Sequence, residues 1–450
     1  SLRHRTALLR GKGWLRHYLE NLPALARYPG LPALKQGMAG VPAIIVAAGP
    51  SLDRNLDALR ELSEHVLVLA VNTAATALGR AGIRPHAVVA IESLDVSTQL
   101  RDLPWLDEVP AFLELTGHPA LWELPFAAKI PISVDTSSCT SFSARIDPAH
   151  HLSAGFCVAN AATAIAYALG CNPIVLVGSD LAYDGDRVYA SGTAFGAMRA
   201  EQRGDGIAHL TGLEGKRAIE ARSGDATGGN HMPDRAKTCR VDGWGGRGPV
   251  TTTRDFLMFR DWYTSAAQTL ASEGIDAINA TEGGAHIPGF RDLALRDALP
   301  LSQASHSGPS VRQRFDALLT RAPSSPARIV EIVAAELEST RQLLRTAAKA
   351  RATVRNDPDG DLTLDARGAE RLRRLGARTR ELLHAAPLCA EAVFAPIEEL
   401  RVRGQVTSFA FYTALEAPLV ELETALARVS QRVLAASIES STPAALAPTG

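Results

Sequence analysis

Ala43-Ile-Ile-Val-Ala-Ala-Gly49-Pro50-Ser51-Leu52-Asp53 decides the fold of this chain. An apolar, β-branched run reads as a buried strand. It passes straight into Gly-Pro-Ser and then into helical periodicity. Gly49 lets backbone approach a ligand closely. Ser51 suits a helix N-cap, and a helix N-terminus offers free N–H groups and a positive dipole end to an anion. The stretch has no Walker lysine and no GxGxxG, so it supports neither an ATPase loop nor a dinucleotide fingerprint.

Working outward, the same alternation repeats. Strands are expected at Ala43–Ala48, His65–Val71, Ala87–Ile91, Ala111–Leu115, Pro131–Val134, Ile174–Val177 and Ala277–Asn279. Helices are expected at Asp53–Leu62, Thr73–Ala81, Ala159–Leu169 and Thr253–Glu273. Short apolar strands separated by helices predict an α/β, Rossmann-like, mostly parallel sheet covered on both faces, spanning 41–300. Residues 1–40, basic and broken by Pro23, Pro29 and Pro32, read as a helical lead-in. A Ser/Gly-rich linker at 301–310 opens a C-terminal helical domain, 301–436, in which Phe315, Leu318, Ile329, Ile332, Val333 and later Leu415, Leu419, Leu422, Leu426, Val429 and Val433 recur at helical spacing. Asn356–Gly360 reads as a turn and 437–450 as a disordered tail. The stretch Ala190–Gly248 is long, Gly-rich and poor in apolar runs, and is expected to be a lid or binding loop.

Composition excludes several function classes. Lys+Arg number 47 and Asp+Glu 48 over 450 residues, a net charge of -1, which argues against a general nucleic-acid binder. Six of the 47 basic residues are lysine, leaving 41 arginines; a GC-rich genome accounts for that bias. The five cysteines stand apart with no CxxC pair, which disfavours a zinc site or a disulfide framework. No run reaches the ~20 apolar residues a membrane span requires. No signal-peptide pattern opens the sequence. A cytoplasmic protein is expected.

Chemistry is expected at the strand ends. Asn72 follows the second strand with both a donor and an acceptor. Glu92 and Ser93 follow the third, and in a doubly wound sheet these ends line one crevice. Gly178, Ser179 and Asp180 follow another strand, and Tyr183 and Tyr189 come next across a Gly turn. Their phenols suit hydrogen bonds to a departing phosphate. Asn279, Thr281 and Glu282 open a further Gly-rich loop.

Together these motifs resemble the motility-associated factor (Maf) glycosyltransferases, which modify flagellin with nonulosonic acids. The matching stretches are Pro42–Asp53, Leu169–Tyr183 and Ile278–Ala285, with Val250-Thr-Thr-Thr and Phe259-Arg-Asp-Trp262 between them, over about residues 35–290. More distantly the frame is similar to bacterial CMP-sialic-acid sialyltransferases. The resemblance implies a CMP-activated pseudaminic, legionaminic or sialic-type donor and a Ser or Thr acceptor on flagellin. It implies that Gly49, Pro50, Ser51, Leu52 and Asn72 face the CMP moiety, that Tyr183 and Tyr189 support the leaving phosphate, and that Asp180 is a catalytic residue of the same phosphate-facing loop. It places Gly155 and Asn160 beside ribose and phosphate. No tightly bound cofactor and no metal is expected; the helical region would dock the acceptor or form a homo-oligomer. Two departures stand out. Relatives carry Asp at the place of Glu92 and Gln at the place of Ser179, and the sialyltransferase general-base His has no counterpart in Val241-Asp-Gly-Trp-Gly-Gly-Arg-Gly-Pro249. His209 and His231, upstream, are the candidates for that base. Two other readings stay open. One is an ATP-dependent enzyme like the archaeal 6-hydroxymethylpterin diphosphokinases, using Glu92 and Asp95 around a metal; the other is a non-catalytic nucleotide-binding partner protein.

Overall fold

A computed structural model describes residues 13–135, 138–147, 151–155, 157–223, 234–299, 309–321, 326–354, 366–402 and 407–441. The chain forms two compact units. One is built from Pro29–Asp135 and Leu152–Ala322, the other from the described parts of Ser1–Tyr28, Thr136–His151 and Pro323–Gly450.

The first unit is α/β. Its strands are β1 (Ala43–Val46), β2 (Leu67–Val71), β3 (Ala87–Ala90), β4 (Ala111–Glu114), β5 (Lys129–Val134), β6 (His151–Leu152), β7 (Ile174–Val177), β8 (Arg199–Gln202), β9 (Ile207–Thr211), β10 (Arg235–Asp242), β11 (Pro249–Thr253), β12 (Ala277–Asn279) and β13 (Arg291–Asp292). Nine of them form a sheet in the order β13-β12-β7-β1-β2-β3-β4-β5-β6. The pairings from β13 across to β5 are parallel. The chain walks outward from β1 to β6 and then returns to lay β7 on the other side of β1. Such a reversal leaves a crevice at the carboxyl ends of the two central strands, where ligands of doubly wound folds bind.

Period-2 geometry explains why β1 reads as a continuous apolar run. Ala43 and Ile45 join one buried cluster with Leu67, Leu69, Leu176, Ala161, Ala162 and Ile165, the last three on helix Val158–Ala168. Ile44 and Val46 join another with Leu52, Leu59 and Leu62 of helix Leu52–Leu62. Both faces are covered, so neither can carry polar residues.

The stretch 190–248 is not the structureless loop expected. It carries the helix Glu214–Arg222 and strands β8, β9 and β10, which with β11 form a second, antiparallel sheet of order β11-β10-β9-β8. Each strand buries little: Ala208 and Leu210 in β9, Ala200 in β8, while β10 alternates half-buried and exposed positions. A hydrophobicity scan has nothing to catch there.

The second unit is helical. Helices Pro326–Val354 and Glu416–Ser441 pack along each other through Ile329, Ile332, Val333, Leu343 and Ala347 on one and Leu419, Leu422, Leu426, Val429 and Val433 on the other, all buried. Ala24–Arg27, Ala366–Ala385, Pro387–Val402, Ser408–Ala414 and Ser138–Ile146 complete it, together with helical residues 13–21. Three expectations change. Residues 13–28 belong here rather than leading into the sheet, and helix Val311–Leu318 belongs to the α/β unit, where Phe315 meets Phe112 at 6.3 Å. Glu416–Ser441 also runs on into the stretch read as tail. The turn expected at Asn356–Gly360 and residues 442–450 lie outside the described residues. Among the described residues no helix is long and apolar enough to cross a membrane.

Candidate functional site

The reversal point is built from the two turns that the sequence singled out. Gly49 N–H donates to the Gly178 carbonyl at 2.8 Å, carrying the β1–β7 ladder past the strand ends. Beneath the turn lies Asp180, 3% exposed, accepting from Ser51 Oγ at 2.7 Å and Ser51 N at 3.2 Å. Burial pushes its carboxyl up to about 6 against the pull of those donors. A Cβ on Gly49 would lie 2.0 Å from Asp180 Oδ2, and one on Gly178, whose φ is +69°, 2.3 Å from the Ala47 carbonyl. Both glycines are therefore required by close approach. Ser51 does not act as the side-chain cap of Leu52–Leu62; its hydroxyl goes to Asp180. The chain's own carboxylate thus holds Ser51 N–H, where an external anion was expected. Pro50 and Leu52 are buried, Leu52 in the apolar cluster.

One strand outward, Asn72 opens helix Asn72–Arg80 directly after β2. Its Nδ2 donates to Gln99 Oε1 at 3.3 Å, while Asn72 Oδ1 and Gln99 Nε2 are buried without partners. Glu92 and Ser93 are half-buried after β3. Asp95 is committed elsewhere, accepting from Ser97 N at 3.0 Å and Ser97 Oγ at 2.6 Å. Burial raises the thiol of Cys157, which precedes helix Val158–Ala168, and the Glu92 charge adds a smaller push in the same direction. Gly155, at φ +61°, and Asn160, fully buried, lie around the same helix start.

Tyr183 and Tyr189 come together. Tyr183 is 7% exposed and packs edge-on against Phe256 at 5.9 Å; burial, then the neighbouring Tyr189, pushes its phenol up to about 12. It stays a donor at neutral pH. Tyr189 meets Phe195 in a tilted pair at 5.2 Å, with the Lys216 ammonium over both rings.

The Gly-rich loop after β12 is anchored to Asp180: Ala285 N–H donates to the Asp180 carbonyl at 2.7 Å. Asn279 and Glu282 spend their side chains on the loop itself. Asn279 Nδ2 donates to Asp292 Oδ1 at 3.0 Å, and Glu282 Oε1 accepts from Leu295 N at 3.0 Å. Thr281 is buried with an unpartnered hydroxyl. Sequence reading missed what this loop delivers. His286 places Nδ1 2.7 Å from Asp292 Oδ2, and Asp292 also accepts from Gly245 N at 3.0 Å. His286 N–H donates to the Asp242 carbonyl, so this histidine borders the 241–249 segment in which none was found. Of the two histidines proposed from sequence, His209 sits within β9, and His231 lies outside the described residues. Among the described residues no three His, Cys, Asp or Glu side chains gather as a metal site.

Residues 16–186 match a family model described as 6-hydroxymethylpterin diphosphokinase MptE-like. No curated protein matches the sequence. Among solved structures the chain is similar to a Maf glycosyltransferase from Magnetospirillum magneticum AMB-1, at 14% identity and a TM-score of 0.55. The likeness covers 95% of this chain and 63% of that one, so this chain spans less than two thirds of its length. The sheet and the helical region therefore follow the fold of that glycosyltransferase.

Proposed function

We propose that this chain is a glycosyltransferase that moves a pseudaminic, legionaminic or sialic-type acid from its CMP-activated form to a Ser or Thr hydroxyl of flagellin, in the bacterial cytoplasm. The observation that carries the reading is the pairing of Tyr183 with Tyr189 just beyond the β7 turn, the Tyr183 phenol buried and held protonated beside its neighbour. Donors fixed before the reaction stabilise charge that develops on a leaving group at little reorganisation cost. In this reading the phenols donate to the CMP phosphate as its bond to the anomeric carbon breaks, so no metal ion is required. The acceptor hydroxyl attacks that carbon while its proton passes to His286 Nε2, the nitrogen left free when Nδ1 donates to Asp292. The helical unit would serve acceptor docking or self-association.

The pterin diphosphokinase reading, suggested by the family model's name, needs acidic groups free for a metal after β3. Asp95 is taken up by Ser97, which leaves Glu92 alone there. Thermal-shift titration separates the two. CMP should stabilise the chain, and Tyr183→Phe with Tyr189→Phe should lower transfer by about a hundredfold or more with the fold intact. Stabilisation by ATP with Mg²⁺ and none by CMP would overturn the proposal.

A further inference from the structure

Helix Arg254–Ser272 starts on a Thr253 cap, whose hydroxyl accepts from Phe256 N, and shows one face to the site. Phe256, Arg260, Tyr263 and Ala267 recur at spacings of four, three and four, the pattern of a single helix face. Phe256 meets Tyr183, and Ala267 is buried in the core. Tyr263 is fully buried beside the Thr163 and Ser179 hydroxyls and the Cys157 thiol. Arg260 lies between these anchors. It is half-buried, its Nε has no partner, and it makes no ion pair among the described residues. A buried guanidinium N–H without an acceptor is unfavourable unless something else takes it up.

What surrounds it also lacks partners. Asn160, on the first turn of helix Val158–Ala168, reaches the Phe259 carbonyl with Nδ2 at 3.5 Å, which brings it to the Arg260 turn; its Oδ1 is buried and unpaired. Ser179 Oγ and Tyr263 OH are buried beside each other and the Thr163 hydroxyl, and bond nothing outside that group. Native interiors leave few such groups, and several together mark a place where a ligand or water belongs. The start of Val158–Ala168 adds the positive end of a helix dipole.

We infer that Arg260 is the charged residue of an oxyanion subsite at the start of helix Val158–Ala168, completed by Asn160, Ser179 and Tyr263, and that it takes a carboxylate or phosphate group of the substrate. Only the identity of that group rests on the nucleotide-sugar reading. The test uses the full chain with three probes in isothermal titration: inorganic pyrophosphate, CMP, and free N-acetylneuraminic acid, which carries a carboxylate and no phosphate. Arg260→Gln should weaken at least one of them about ten- to a hundredfold, and Arg260→Lys, which keeps the charge but loses the fork, less. Loss confined to the sugar acid assigns the carboxylate; loss for CMP assigns the phosphate. Arg260-dependent pyrophosphate binding with neither CMP nor sugar acid bound would keep the subsite and refute the nucleotide-sugar reading. Equal affinities in wild type and Arg260→Gln, with unliganded melting temperatures unchanged, overturn the inference, as does a wild type that binds none of the three.

Discussion

His286 Nδ1 lies 2.7 Å from the Asp292 carboxylate, which Asn279 Nδ2 and Gly245 N also hold by donating to it. A histidine oriented in this way presents Nε2 as an acceptor, and its side chain is 40% exposed, so a substrate hydroxyl can reach it. His286→Gln should lower transfer by about a hundred- to ten-thousandfold and leave CMP affinity unchanged, measured as single-turnover transfer beside a CMP titration. Equal loss of CMP binding would make His286 a structural residue of the loop. Nothing in the sequence singled it out. Asp292 sits in the two-residue strand β13, too short to leave a periodic trace, and only its pairing with β12 brings it to the histidine. Residues adjacent to long apolar strands were legible by contrast: Gly49, Asp180 and Tyr183 stand where strand ends meet, and the strand signal places them. Even there the roles shifted. Ser51 was read as a cap and an anion contact, yet a carboxylate 129 positions away claims its hydroxyl.

Elements divide along the same line. Strands of β-branched residues buried on both faces appeared within one or two residues of their expected ends, because burial on two sides leaves an unbroken apolar run. The second sheet did not, since β10 reads Arg-Ala-Lys-Thr-Cys-Arg-Val-Asp and rests on backbone pairing with β9 and β11. In the helical unit, the periodic stripes were plain, but one element depends on a polar group that periodicity treats as surface. Glu336 of helix Pro326–Val354 is fully buried and accepts from Leu388 N at 2.8 Å and Cys389 N at 3.1 Å, capping helix Pro387–Val402 from outside; Arg145 pairs with it at 3.1 Å. Glu336→Gln keeps the shape and an acceptor but removes the charge facing Arg145 and the helix N-terminus. The expected cost is about 1–3 kcal/mol, with Glu336→Ala costing more, read from urea denaturation. A denaturation midpoint equal to wild type in both variants would mean that the cap contributes nothing.

For the molecule as a whole, sequence order and spatial order part company. The α/β unit takes in Val311–Leu318 beyond the expected linker, and the helical unit gathers residues before and within the sheet's sequence, because burial of a matching apolar face, not chain position, decides membership. Net charge near zero leaves no strong global field, so the acid response falls to buried groups. His86 is 1% exposed; its Nδ1 accepts from Val68 N at 3.1 Å, and burial holds the ring's pKa down to about 3 from the ordinary 6.5 of an imidazole. The neutral form is the folded form. Its stability contribution is therefore complete above pH 6.5 and is lost as the pH falls toward about 3. Asp180 works the other way: raised to about 6 from 3.8, it favours folding once protonated and regains stability between those values as the pH falls. The two slopes oppose each other at about 1.4 kcal/mol per pH unit each, which flattens the wild-type curve. His86→Asn keeps an acceptor for Val68 N and removes one slope, so its stability relative to wild type should climb by about 1.4 kcal/mol per pH unit from pH 6 to pH 4. Denaturation of both proteins at matched pH reads this difference directly, and parallel curves would show that His86 is protonated in the folded chain.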